Sequence, residues 1–221
     1  MFNIFDKSDA QIQKDVMNEL KWDPSVSPAR ISVTTEDGIV TLHGTVPHYS
    51  DKTTAEVAVQ RVGGVRAVAD ELEVNLLESY IRSDEDIAKA CATALEWSYQ
   101  VPSSVSVAVD RAWIYLRGET EWEYQRKAAR ECVSSLMGVR GVTSEITLKS
   151  KVQPSGIKDR IEEALKRSAE SDAQKIKVEV DGTQVTLSGT VHSFSEIEDA
   201  RFAAWSAPGV MSVENDLRLS H

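Results

Sequence analysis

The chain repeats one unit three times, and this repetition restricts its fold more than any other feature. VTLHGTV (40–46), IYLRGET (114–120) and VTLSGTV (185–191) share a register centred on Gly44, Gly118 and Gly189, 74 and 71 residues apart. Each is followed 20 residues later by another glycine, Gly64, Gly138 or Gly209, and then by Val65, Val139 or Val210. A unit of about 70 residues is near the lower limit for a self-sufficient core, so contacts between copies are expected to add stability.

The same offsets locate the other elements. Ile12, Val16 and Leu20 match Ile87, Cys91 and Leu95, and then Ile157, Ile161 and Leu165. That i, i+4, i+8 spacing is one stripe of a helix. Ser8-x-x-Gln11 and Ser83-x-x-Asp86 resemble capping signals, and Pro154-Ser155 is a compatible start for the third. Ile31-x-Val33-x-Thr35, Val105-x-Val107-x-Val109 and Ile176-x-Val178-x-Val180 alternate as strands. Turns at Glu36-Asp37-Gly38, Asp110-Arg111-Ala112 and Asp181-Gly182-Thr183 join them as hairpins to the glycine-bearing strands.

A second helix carries Ala55, Val59 and Val62 in copy one, Ala129, Val133 and Leu136 in copy two, and Ala200, Ala204 and Ala207 in copy three. A third strand closes each unit. All six glycines are expected to be structural: Gly44, Gly118 and Gly189 where a strand ends and the backbone turns, Gly64, Gly138 and Gly209 as left-handed helix caps. The pattern predicts an α+β protein of three αββαβ domains at 8–76, 83–149 and 154–220. In each, two helices cover one face of a three-stranded mixed sheet.

The order of these landmarks resembles the BON (bacterial OsmY and nodulation) domain family over nearly the whole chain. Copy two departs locally, with Glu119-Thr120 in place of Thr-Val and with Gly138-Val139 repeated as Gly141-Val142. The resemblance implies a non-enzymatic binding module, associated with phospholipid membranes, envelope integrity and osmotic or general stress.

Composition narrows the partner. With 25 Lys+Arg against 35 Asp+Glu the formal charge is −10, which disfavours nucleic acid and simple electrostatic attraction to anionic lipid. No apolar run has the length of a spanning helix. The start, MFNIFDKSDAQ, lacks a basic n-region, an apolar core and a cysteine for lipidation. A cytoplasmic location is expected for the sequence as it stands, and a periplasmic one if a targeting segment has been removed. Met1, Phe2, Ile4 and Phe5 are expected to fray or to tuck against the first domain.

Enzymatic constellations are missing, so no catalytic residue, cofactor or metal site is expected. His43, His48, His192 and His221 have no metal-ligand spacing. Cys91 and Cys132 align with apolar residues in the other copies and are expected to be buried thiols used as small hydrophobes.

The aromatic residues point to a contact surface. Trp113 and Tyr115 flank Ile114 and project away from its buried face, and Trp122 and Tyr124 follow in the next loop. They are expected either to contact a membrane or protein partner, with Arg117 and Arg126 as cationic flanks, or to bury against a neighbouring copy. Trp22 and Trp97 share a repeat position, two beyond the last stripe leucine; they either seal their helix ends or offer two paired surface contacts, and sealing is the expectation, because Pro24 and Pro102 follow closely and end the helices. The acidity and the absence of an export signal support a second reading, a soluble cytoplasmic sensor of a small ligand or of a monovalent cation such as potassium. A protein-interaction scaffold is a third. Nucleic acid is not expected as a partner, and the oligomeric state is left open.

Overall fold

The computed structural model describes residues 7–149, 156–168 and 176–219. Met1 to Phe5, Pro154-Ser155 and His221 lie outside them. The architecture is the predicted α+β one: the described residues form six α-helices and three separate three-stranded sheets. Repeat one comprises α1 (Asp9–Trp22), β1 (Ile31–Glu36), β2 (Ile39–Val46), α2 (Tyr49–Gln60) and β3 (Ala67–Val74). Repeat two comprises α3 (Asp84–Trp97), β4 (Ser106–Asp110), β5 (Trp113–Thr120), α4 (Glu123–Ser134) and β6 (Gly141–Leu148). Repeat three comprises α5 (Ile157–Ser168), β7 (Ile176–Asp181), β8 (Gln184–Val191), α6 (Phe194–Trp205) and β9 (Ser212–Leu219).

In every sheet the glycine-bearing strand is central. In repeats one and three it pairs antiparallel with the hairpin strand and parallel with the last strand. Helix stripe and inward strand residues meet in one layer: Ile12, Val16, Leu20, Val33, Val40, Leu42, Ala55 and Val59 are all buried. Ser8 and Ser83 cap their helices as expected, each hydroxyl accepting a backbone N–H three residues on.

By contact density the chain divides into two compact units. The first holds repeat one and most of repeat two, and the second holds residues 119–125 and 147 onward, with repeat three. Within the first unit, Tyr49 at the start of α2 is buried in the core of repeat two, beside Ile87, Cys91 and Leu95, and Val74 lies against the same core. The Arg130 guanidinium donates to the Tyr49 hydroxyl (3.4 Å), and His48 stacks at a tilt on Tyr80, ring centres 4.7 Å apart.

Three details differ from the sequence reading. The second helices are a turn shorter: α2 stops at Gln60, and Val62 lies beyond it, because the N–H groups of Arg61 and Val62 tighten to bonds three residues back. Gly64 then turns the chain at φ 97°. The β2 and β5 glycines also lie two residues inside their strands rather than at a strand end. The third detail is an aspartate role that spacing does not reveal. The Asp9 carboxylate accepts both turn amides, from Asp37 (3.0 Å) and Gly38 (2.9 Å), and Asp84 does the same for Arg111 and Ala112 (both 2.8 Å). The first helix of each of these repeats is thereby pinned to its hairpin.

Two stability predictions arise here. Arg111 and Ala112 both have positive φ, 50° and 65°, as a type I′ turn requires, but repeat one has glycine at the second position and repeat two does not. Ala112→Gly is expected to stabilise the chain by about 1 kcal/mol, read as a higher urea midpoint. Thr35 points into the core opposite Val40, where its hydroxyl is buried without a hydrogen-bond partner. The matching residues are Val109 and Val180. Thr35→Val is expected to add ~1 kcal/mol, because it removes an unsatisfied polar atom at nearly constant shape; an unchanged or lower midpoint would contradict this.

Candidate functional site

Strand β5 alternates as predicted. Ile114 and Leu116 are fully buried, while Trp113, Tyr115 and Arg117 share the opposite, open face of the sheet. Across the antiparallel ladder they face Asp110, Ala108 and Ser106 of β4. On the other side, the Trp113 indole N–H donates to the Thr143 hydroxyl (2.8 Å), and Arg117 Nε donates to the Glu145 carboxylate (2.7 Å). Trp113 remains 42% exposed.

Gly141, a departure of copy two, is explained by this face. A Cβ at Gly141 would lie 2.6 Å from three carbons of the Trp113 ring, so the indole rests flat on the bare glycine backbone. The other repeats have Ala67 and Ser212 there, and Ile39 and Gln184 in place of the tryptophan. Tryptophan and glycine occur together in one copy, and that coincidence was the sequence signal for their contact.

Trp122, Tyr124 and Arg126 form a second group along the chain. Trp122 precedes α4, where its carbonyl accepts the Thr120 hydroxyl and the Gln125 side chain accepts its N–H. The Trp122 side chain is half-buried, Tyr124 is 54% exposed and Arg126 is half-buried within α4. Arg117 is a paired cation rather than a bare one, because Glu145 holds it.

Trp22 and Trp97 do not seal their helices. They are 84% and 85% exposed, and Tyr99 near the second is 95% exposed. The reason is angular: two residues past the stripe leucine is about 200° round a helix, on its solvent side. Counting from Leu20 and Leu95 would have placed both indoles in water.

The remaining polar candidates have local partners. His43 pairs with Glu71 (2.9 Å) on the surface, and the His192 backbone N–H donates to Glu196 (3.0 Å). Burial pushes the Cys91 thiol up to about 11, consistent with its use as a small hydrophobe. Cys132 is a free, half-buried thiol against the same core, and only in this partial exposure does it depart from the reading. Among the described residues, no group of three or more His, Cys, Asp or Glu is placed to hold a metal ion, and no helix is long and apolar enough to cross a membrane.

Comparison with known proteins places these features in context. The BON domain family matches residues 8–75, 83–150 and 155–220. Osmotically-inducible protein Y of Escherichia coli (strain K12) is 28% identical over 178 residues, covering 76% of this chain and 83% of that protein. Among solved structures, CdsD, a structural protein of the type III secretion system of Chlamydia trachomatis, aligns at 14% identity and a TM-score of 0.27, covering 94% of this chain and 91% of the other. The periplasmic domain of the inner membrane protein PrgH from S. typhimurium aligns at 15% identity and a TM-score of 0.21, covering 87% and 96%.

Proposed function

We propose that this chain, which belongs to the BON domain family in all three of its repeats, is a non-enzymatic, stress-related binding module that works at phospholipid membrane surfaces. The similarity to an osmotically inducible protein supports the stress context. On this reading the domains run 8–76, 83–149 and 154–220. The observation that carries the proposal is the matched pair Trp22 and Trp97, with Tyr99, at 84–95% exposure. Burying one large apolar side chain contributes on the order of 2 kcal/mol, so aromatics left in water at the same position of two copies signal a surface that becomes covered. Indole and phenol rings favour the membrane–water boundary, where one end is apolar and the other wet.

Electrostatics set the lipid. The chain's charge is −10 and Arg117 is paired, so the proposed attraction is interfacial rather than ionic. Trp122, Tyr124 and Arg126 are proposed as further membrane contacts, and Trp113, Tyr115 and Arg117 as the face for a partner. Co-sedimentation with phosphatidylcholine vesicles tests the reading. The native chain is expected to pellet at low and high salt alike, and Trp22→Gln/Trp97→Gln to stay in the supernatant while folded. Equal pelleting of the two proteins, or none by either, would contradict it.

A further inference from the structure

We propose that the Trp113 face of repeat two is a stacking platform for the sugar ring of a neutral glycan. This goes beyond the membrane reading and rests on different residues. Trp113 differs from the helix-end tryptophans in being immobilised. Its indole N–H is tied to Thr143 (2.8 Å), one ring face lies on Gly141, and the residue is still 42% exposed, so the accessible part of the ring is the side away from Gly141. Such a ring presents a fixed, flat, electron-rich surface. The face of a pyranose with equatorial hydroxyls presents axial C–H groups of the opposite polarity, which makes it a matching partner for that surface.

The neighbours of Trp113 narrow the ligand. Tyr115 stands next on the stripe, opposite Ala108, whose small side chain leaves room beside the phenol. Arg117 follows, bridged to Glu145 at 2.7 Å. Outward residues on a strand are spaced about 6.8 Å apart, so the stripe from Trp113 to Arg117 is long enough for successive sugar rings. An Arg–Glu pair offers donors and acceptors side by side, as vicinal hydroxyls need, and its charges cancel. With its one cation held by Glu145, and Asp110 opposite Trp113, the stripe opposes a phosphate or other anion. Its electrostatics fit an uncharged polyol.

A β-linked glucose oligomer is the simplest probe, and the glycan could be either a free polysaccharide or the head group of a glycolipid. Cellotriose is titrated by calorimetry into the full chain, into Trp113→Gln and into Phe202→Gln, which alters an exposed aromatic of repeat three that has no part in either surface. In parallel, binding is measured to phosphatidylcholine vesicles with and without a glucosyl diacylglycerol. Gln184 occupies the Trp113 position in folded repeat three, so the glutamine variant has a precedent within the chain. The expected result is saccharide binding that Trp113→Gln weakens at least about tenfold and Phe202→Gln leaves unchanged. Binding to cellotriose, or to glucosyl vesicles alone, supports the proposal and distinguishes the two sources. No saccharide-dependent binding in either format, or equal binding by Trp113→Gln, overturns it. Pelleting with plain vesicles in that event would leave the membrane reading standing.

Discussion

Replacing Gly118 with alanine is expected to cost on the order of 3–5 kcal/mol, enough to unfold repeat two or leave it marginal. Gly118 sits inside β5 at φ 130°, and a Cβ there would lie 2.2 Å from the Ser104 carbonyl oxygen. Backbone cannot swing aside as the tip of a side chain can, so the clash adds to the intrinsic penalty of that φ. Gly44 has the same constraint, 1.9 Å from the Arg30 oxygen at φ 125°. Gly63 is the control: a Cβ there would come no closer than 4.0 Å to another part of the chain, the Lys7 ammonium, and Gly63→Ala is expected to remain within about 0.5 kcal/mol of the native chain. Urea unfolding followed by circular dichroism distinguishes these outcomes; a Gly118→Ala protein as stable as Gly63→Ala would refute the account of the repeat's central glycine.

The second large effect is expected at Tyr49. Its ring belongs to α2 of repeat one but packs, 8% exposed, in the core of repeat two. Truncation to alanine opens a cavity there and removes the hydroxyl that Arg130 approaches, a loss of roughly 3–4 kcal/mol. Such a residue couples two cores, so Tyr49→Ala is expected also to separate their unfolding, giving a broadened or two-step transition. Tyr49→Phe keeps the packing and should stay close to the native protein. A single sharp transition in Tyr49→Ala, displaced by less than about 1 kcal/mol, would count against the coupling.

Much of the fold was legible because three copies of the pattern vote on each element. Ile12, Val16 and Leu20 recur as Ile87, Cys91 and Leu95, and an apolar residue at Cys91 in the other copies already indicates a buried thiol. The turns were legible from their residues, although the grip of Asp9 and Asp84 on the turn amides was not. Those contacts span 27 to 29 residues, beyond any local pattern. Tyr49 was hidden for the same reason: Glu123 and Phe194 hold its place in the other copies, so the repeat carried no signal of a residue serving a neighbouring core.

The candidate site was half legible. Strand alternation put Trp113, Tyr115 and Arg117 on one face, but periodicity does not report hydrogen bonds, and neither the Thr143 tie nor the Glu145 pair follows from it. Trp22 and Trp97 were misplaced by treating the helix end as a lid, when the helical angle itself directs them outward.

Fluorescence quenching by brominated phosphatidylcholine tests the central claim most directly, because bromine quenches only indoles that enter the bilayer boundary. The account predicts quenching of the native chain on these vesicles, absent or strongly reduced in Trp22→Gln/Trp97→Gln. Native fluorescence unchanged by brominated lipid, or quenching that persists undiminished in the double variant, would contradict it.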